Sequence, residues 1–220
     1  MYEECITIDY YSDVLCIWAW ITQRRIDELN KHFKDKINIR YFYVDIFGDT
    51  TTRINQQWVD KGLHDGFARH VESSAAPYEF ATVNSDIWSK VRPTTSANAH
   101  MVLKAIEIAY SEKHAIDFSC VLRKAFFLQA IDISNLDNIF NLMQSNKIDV
   151  DPVKSLIADG QALAAVMCDY QTAKQYHIKG SPCFVMNEGR QTLFGNVGYR
   201  VLQLNIEELL NKVETDASWC

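Results

Sequence analysis

The sequence predicts an α/β protein in which a β-α-β unit and a β-β-α unit flank a large all-helical insertion. Three observations carry that prediction. Apolar, β-branched and aromatic runs of strand length occur near the two ends of the chain, at Ile6-Thr7-Ile8-Asp9-Tyr10-Tyr11, at Ile37 to Val44 and between Cys183 and Phe194. Between those ends the apolar residues recur at spacings of three and four, the helical period. At 220 residues, with 48% hydrophobic and 23% charged, the chain can bury a sizeable core and reads as one domain carrying an insertion.

The elements follow in order. Ile6 to Tyr11 is a strand that leads through a short loop to Cys16. From Trp18 the pattern is helical, with Ile26, Leu29 and Phe33 marking the buried face. Ile37 to Val44 is a second strand, and two strands joined through a helix imply a right-handed parallel crossover. Gly48 to Thr52 reads as a polar loop, and 56–73 as one or two short helices broken at Ala76-Pro77-Tyr78-Glu79-Phe80. The segment Arg92 to His100 leads into a helix apolar enough to be largely buried. Its one polar stripe is His100, Lys104, Glu107 and Ser111, where His100 is expected to be solvated or hydrogen-bonded.

Helices over 118–130, 136–144 and 152–158 come next, with Ser134 and Asp151 as expected N-caps and Pro152 at a first helical position. A last insertion helix after Asp159 is expected to turn Leu163, Val166, Met167 and Tyr170 inward, leaving Cys168 off that seam; Cys120 is expected to pack. Cys183 to Met186, a turn over 187–190 and Gln191 to Phe194 read as a hairpin. Tyr199 to Val213 closes the chain, with Leu202, Ile206, Leu209 and Val213 inside and a frayed tail over 214–220. Residues 1–48 and 176–220 then form one unit and 49–175 the helical insertion.

Several function classes are excluded early. A net charge of −6 argues against nucleic acid or an anionic membrane, both of which are bound through clustered Lys and Arg. No stretch has transmembrane length, and Met1-Tyr2-Glu3-Glu4-Cys5 lacks the pattern of a signal peptide, so a cytoplasmic location is expected. Cysteines at 5, 16, 120, 168, 183 and 220 show neither a pairing rhythm nor metal-ligand spacing. A reducing compartment, no structural disulfide and no metal are the corresponding expectations.

Chemistry is expected at Cys16. It lies where a strand runs into the start of a helix, and backbone N–H groups in a first helical turn lack intrahelical partners, so a thiolate there would be stabilised. A lowered thiol pKa makes a nucleophile at neutral pH. The alternative is that Cys16 is a small buried hydrophobe, as most free cysteines are. Cys5 stands at the far end of its strand and is not its partner.

The run Ser12-Asp13-Val14-Leu15-Cys16-Ile17-Trp18-Ala19-Trp20 resembles the active-site segment of the DsbA-like branch of the thioredoxin superfamily, within the group holding FrnE-like oxidoreductases, kappa-class glutathione transferases and 2-hydroxychromene-2-carboxylate isomerases. A second stretch, Asp159 to Val166, Asp169, and Gly180-Ser181-Pro182-Cys183-Phe184-Val185-Met186-Asn187, resembles the helix and cis-proline loop of the same group. Two matched segments in the right order are more specific than either alone. The resemblance implies a thioredoxin fold with a helical insertion. It also implies a cis Ser181-Pro182 bond facing the active cysteine, with Ser181 offering its backbone to an extended thiol peptide such as glutathione.

Departures from the family pattern matter as much. Ala19 stands where the redox members have a second cysteine and Ile17 where they often have proline, so the resolving thiol of a dithiol motif is missing. Asn196 follows Phe194-Gly195 at the family's glutathione-binding place, but Val197 replaces an acid there. Trp18 is expected to seat the helix, the alternative being a stack on substrate; Asp13 is either an N-terminal turn or cap residue or tunes Cys16 upward through its charge; and Cys183 is either a strand residue or a resolving thiol.

The first function expected is a glutathione-linked, single-cysteine thiol oxidoreductase. A kappa-class-like transferase or isomerase, and a non-catalytic binding or chaperone module, are the alternatives. Glutathione would be a co-substrate, a small thiol or disulfide or a protein thiol the partner, and a homodimer is implied by the kappa-class likeness.

Overall fold

The computed structural model describes residues 5–211; the expected frayed tail, with Val213 and Cys220, lies outside the described residues. One four-stranded sheet, in the order β2-β1-β3-β4, is built from β1 (Ile6–Ser12), β2 (Ile37–Tyr43), β3 (Cys183–Met186) and β4 (Gln191–Phe194). β1 and β2 are parallel across helix α1 (Ile17–Phe33), while β3 is antiparallel to both β1 and β4. That is the β-α-β plus β-β-α arrangement of the thioredoxin fold. β2 shows why it is a strand: Ile37, Ile39, Tyr41 and Tyr43 are buried while Asn38 and Arg40 face out. β1 lies centrally, so Tyr10 packs on Tyr41 and Phe184 on one face, and Tyr11 on Phe42 on the other.

Helices α2 (Thr50–Gln57), α3 (Leu63–Ala75), α4 (Ala97–Ala109), α5 (Glu112–Gln129), α6 (Leu136–Ser145), α7 (Asp151–Ala158) and α8 (Gln161–Gln175) come between β2 and β3. They share a core with the start of α1: Val14, Leu15, Cys16, Ala19 and Trp20 belong to one apolar cluster with Phe67, Trp88, Val102, Phe126 and Phe127. Trp20 stacks on Phe127 at 5.7 Å. A second cluster joins Ile8, Ile26, Leu29, Phe33 and Phe184 to Leu202 and Ile206 of α9 (Tyr199–Asn211). Among the described residues no helix is long and apolar enough to cross a membrane.

Five local expectations are corrected. The loop expected through Thr52 ends at Asp49, whose carboxylate accepts from the Thr52 N–H at 2.9 Å and so starts α2 inside it. The N-cap of α6 is Asn135 rather than Ser134; that of α7 is Val150, with Asp151 already helical. Ser134 instead bonds the Asp132 carboxylate. α5 starts six residues before Phe118, because Ser111 caps it. On α8 the inward seam is Ala162, Val166, Asp169 and Ala173, leaving Leu163 and Met167 exposed. The reason is close packing: small side chains let α8 approach α4 and β2, while Asp169 accepts a hydrogen bond from the Tyr43 N–H at 3.1 Å.

Of the two expectations for His100, solvated or hydrogen-bonded, the second holds: it is fully buried, hydrogen-bonded to Val14 and Tyr170, and stacked on Tyr43 at 4.7 Å. Lys104 on the same stripe is buried too, between Glu107 at 2.7 Å and Asp169 at 3.4 Å. A helix packed on both sides hides even its polar face when each polar group there finds a partner.

Candidate active site

Cys16 is the N-cap of α1. Its N–H donates to the Asp13 carbonyl at 3.1 Å, which turns the chain after β1, and its own carbonyl accepts from the Ala19 and Trp20 N–H groups at 3.1 Å each. The Sγ then donates to the Ser181 carbonyl at 3.2 Å. Ser181-Pro182 is a cis peptide bond. The Ser181 hydroxyl in turn accepts from the Asp13 N–H at 2.9 Å, and the Pro182 carbonyl accepts from the Gly195 N–H at 2.8 Å. The Phe194 ring closes over Gly180, where an added Cβ would lie 2.9 Å from it and displace the ring.

Asp13 ties the loops around Cys16 together. Fully buried, it accepts from the Leu15 N–H at 2.9 Å, the Ile46 N–H at 3.2 Å, the Phe47 N–H at 2.9 Å and the Ser96 hydroxyl at 2.8 Å. Four donors from three chain segments thus meet one carboxylate. Beside it, His100 Nε2 accepts from the Val14 N–H at 3.3 Å and Nδ1 lies 2.9 Å from the Tyr170 hydroxyl. An accepting Nε2 requires a neutral ring with its proton on Nδ1. Burial, with help from the Arg123 charge, pulls the His100 pKa down to about 3, consistent with that state.

The expected activation of Cys16 is reversed. Burial pushes its thiol up, and the Asp13 charge adds to that; the Ser181 hydroxyl and the Ala19 and Trp18 N–H groups pull the other way. Burial is the largest contribution, because the side chain is only 6% exposed. Cys16 therefore rests as a protonated thiol whose hydrogen is directed at Ser181.

The other candidates are placed as follows. Trp18 is half-buried on the first turn of α1, while Ala19 is fully buried and offers no thiol beside Cys16. Cys183 packs with Tyr11, Val44, Ala173 and Val185, an apolar group distinct from the cluster holding Cys16, and burial pushes its thiol up to about 11. That environment suits a strand residue, not a resolving thiolate. Both amide atoms of Asn196 are engaged: Oδ1 accepts from Arg25 Nη1, and Nδ2 donates to the Tyr78 hydroxyl at 2.7 Å. All five cysteines among the described residues are unpaired. No group of three or more His, Cys, Asp or Glu there could hold a metal ion.

Sequence reasoning missed Ser96, His100, Tyr170 and Arg25 as part of this surrounding. Only Arg25 carried a signal, lying seven residues after Trp18 and hence on its helix face. The rest are brought in by tertiary packing.

The sequence model of the DSBA-like thioredoxin domain matches residues 7–207. No curated protein matches. Among solved structures, a protein provisionally assigned as a disulfide isomerase from Nitrosomonas europaea superposes with a TM-score of 0.78 at 14% identity, covering 96% of this chain and 100% of that one. The cytosolic disulfide reductase DsbM from Pseudomonas aeruginosa gives 0.69 at 15% identity, covering 92% and 99%. A 2-hydroxychromene-2-carboxylate isomerase gives 0.64 at 14% identity, covering 94% and 97%. At such identities the likeness is one of fold.

Proposed function

Because the chain belongs to the DsbA-like thioredoxin family, we propose that it is a thiol oxidoreductase in which Cys16 alone exchanges with glutathione or a related small thiol. The observation that carries this is the Cys16 Sγ, seated at the start of α1 and 3.2 Å from the carbonyl that precedes Pro182. In the first step the Cys16 thiolate attacks a disulfide R–S–S–G, forming Cys16–S–S–G and releasing R–S⁻, which takes the proton given up by Cys16. In the second, an external glutathione thiolate attacks that mixed disulfide, releasing G–S–S–G and restoring Cys16. No second protein thiol is needed, which agrees with Ala19. Ser181 and Pro182 form the docking edge for the peptide-like part of the substrate, and Trp18 flanks it. A cytoplasmic setting is part of this reading, supported by the unpaired cysteines.

One observation favours a second reading. A buried, protonated thiol is a hydrogen-bond donor, and in a transferase or isomerase such a donor would hold a glutathione thiolate for addition to an electrophile. The fate of Cys16 separates the two. Intact mass after incubation with oxidised glutathione is measured from pH 6 to 10 for wild type and Cys16→Ser. Thiol exchange gives an adduct mapped to Cys16 by peptide mass, absent from the variant and separate from labelling of the exposed Cys5 and Cys168, whose rate still climbs through pH 9 because the thiol is pushed up. Absence of an adduct in wild type, or equal labelling of both, refutes it. A variant that keeps most of its conjugating activity toward an electrophile supports the second reading.

A further inference from the structure

A closed rim of contacts runs away from Cys16 and returns to its own helix. Cys16 touches Ser181, Pro182 bonds Gly195, and the next residue, Asn196, is held by Arg25 of α1 and by Tyr78. The Arg25 guanidinium lies 5.8 Å over the Tyr78 ring, and its Nη1 also faces the Thr22 hydroxyl at 3.5 Å. Both acceptors sit on Nη1. The Nε–Nη2 edge, the fork that takes a carboxylate with two parallel hydrogen bonds, carries no protein partner among the described residues. Neither Arg25 nor its neighbour Arg24, which lies 5.0 Å over the Phe80 ring, pairs with a carboxylate among those residues, although the chain holds 28 acidic side chains.

We propose that Arg25 is the carboxylate anchor of the substrate groove, and that the chain selects thiols and disulfides bearing a carboxylate a short peptide's length from sulfur. This rests on the thiol-exchange reading for the use of Cys16. Trp18 and Arg25 lie on one helix face, about 10 Å apart along the axis, and a helical side chain leans back toward the N-terminus. Cys16 precedes Arg25 by nine residues, about 13 Å along the axis, so a ligand reaching from the sulfur to the fork spans about three to four extended residues of about 3.5 Å each. Asn196 and Tyr78 act as positioning residues that hold the guanidinium flat. Val197, beside Asn196, brings no charge to meet an ammonium group, so recognition is of the carboxylate and not of an amino-acid zwitterion.

The test compares oxidised glutathione with its carboxyl-esterified form, which keeps the skeleton and masks the acids. The rate of Cys16 adduct formation is read by intact mass for wild type, Arg25→Gln and Arg25→Lys. One charge-assisted pair predicts a preference of about tenfold for the free acid in wild type. The ratio should fall close to one in Arg25→Gln, recover in part in Arg25→Lys, and shrink in wild type between 0.05 and 0.5 M NaCl as screening grows. A ratio near one in wild type, or an unchanged ratio in Arg25→Gln, overturns the proposal. Calorimetric titration of Cys16→Ser with reduced glutathione and its ester reads the same preference without sulfur chemistry. Equal affinities there overturn the Arg25 assignment. A tenfold preference for the acid upholds it, even where no wild-type adduct forms and thiol exchange itself fails.

Discussion

Replacing Asp13 by alanine should separate the structural work of this residue from its electrostatic effect on Cys16. The carboxylate accepts from three backbone N–H groups and one hydroxyl, all in the interior. At about 1 kcal/mol for each donor left unsatisfied, the low end for buried groups, the loss is about 4 kcal/mol. For a chain of this size that corresponds to a fall in Tm of about 10 °C. Asp13→Asn is the discriminating partner. Its carbonyl can take the place of Oδ2 and keep the Ile46, Phe47 and Ser96 bonds, losing only the one to Leu15, so about 1 kcal/mol is expected.

Reactivity should move the opposite way. The Asp13 charge is one of the causes that push the Cys16 thiol up, and the amide removes it. Asp13→Asn should therefore lower stability slightly and speed adduct formation at pH 8. Urea unfolding followed by tryptophan fluorescence gives the first quantity and intact mass the second. Equal stability losses in the two variants, or a loss under about 1.5 kcal/mol in the alanine form, would refute the account of four converging bonds. Slower labelling in Asp13→Asn would refute the electrostatic part.

Two buried groups should give opposing pH slopes. With its pKa pulled down to about 3, His100 binds fewer protons folded than unfolded, so its contribution is present above pH 6.5 and is lost as pH falls toward 3. Asp169 is pushed up to about 6 by burial, so it binds more protons folded, and stability falls as pH rises from about 4 to about 6. Each slope approaches about 1.4 kcal/mol per pH unit, so these two contributions should largely cancel between pH 4 and 6, leaving the fall that the Asp13 carboxyl, also pushed up by burial, adds as pH rises. His100→Gln should lose stability on raising the pH across that window and Asp169→Asn should gain it; thermal melts showing parallel profiles would contradict both assignments. Arg123 is fully buried and, among the described residues, hydrogen-bonds only neutral partners, Ser12, Gln23 and Ser119, at 2.9 to 3.4 Å. Arg123→Met should thus stay within about 1 kcal/mol of wild type while Arg123→Ala loses about 3 kcal/mol or more to the cavity; equal losses would show that the charge itself stabilises.

The strands and the Cys16 junction were legible in the sequence because their signals are local: alternation in β2, a continuous apolar run in β1, and a cysteine where one period gives way to another. Resemblance supplied the topology and the partnership of Cys16 with Ser181. Its protonation state was not legible. The helix start does favour a thiolate, through the Ala19 and Trp18 N–H groups, but the opposing burial comes from insertion residues far along the chain. The same reason hides His100, whose surroundings are Val14, Tyr43 and Tyr170. Helix α8 misled because its buried seam is small and carries an aspartate, while its larger apolar residues face out.

Under the proposed thiol exchange, the hydrogen bond from Cys16 to Ser181 should couple docking to reactivity. The Ser181 carbonyl accepts the thiol proton, which favours the protonated form. A peptide-like disulfide that pairs with this loop as an added strand brings its own N–H to that carbonyl. The thiol then competes for its acceptor, while the Ser181 hydroxyl and the Ala19 and Trp18 N–H groups still favour the anion. Docking should thereby shift Cys16 toward thiolate at the moment a disulfide is beside it. A small reagent with no N–H, such as methyl methanethiosulfonate, obtains none of this help. Relative to free cysteine at pH 7.5, Cys16 should thus react more slowly with methyl methanethiosulfonate, yet at least as fast with oxidised glutathione. Ser181→Ala leaves the carbonyl in place and should retain the contrast, lowering both rates through loss of the hydroxyl. Were Cys16 equally retarded toward both reagents, the carbonyl would be serving donor and ligand through its two lone pairs at once, and the coupling would not exist.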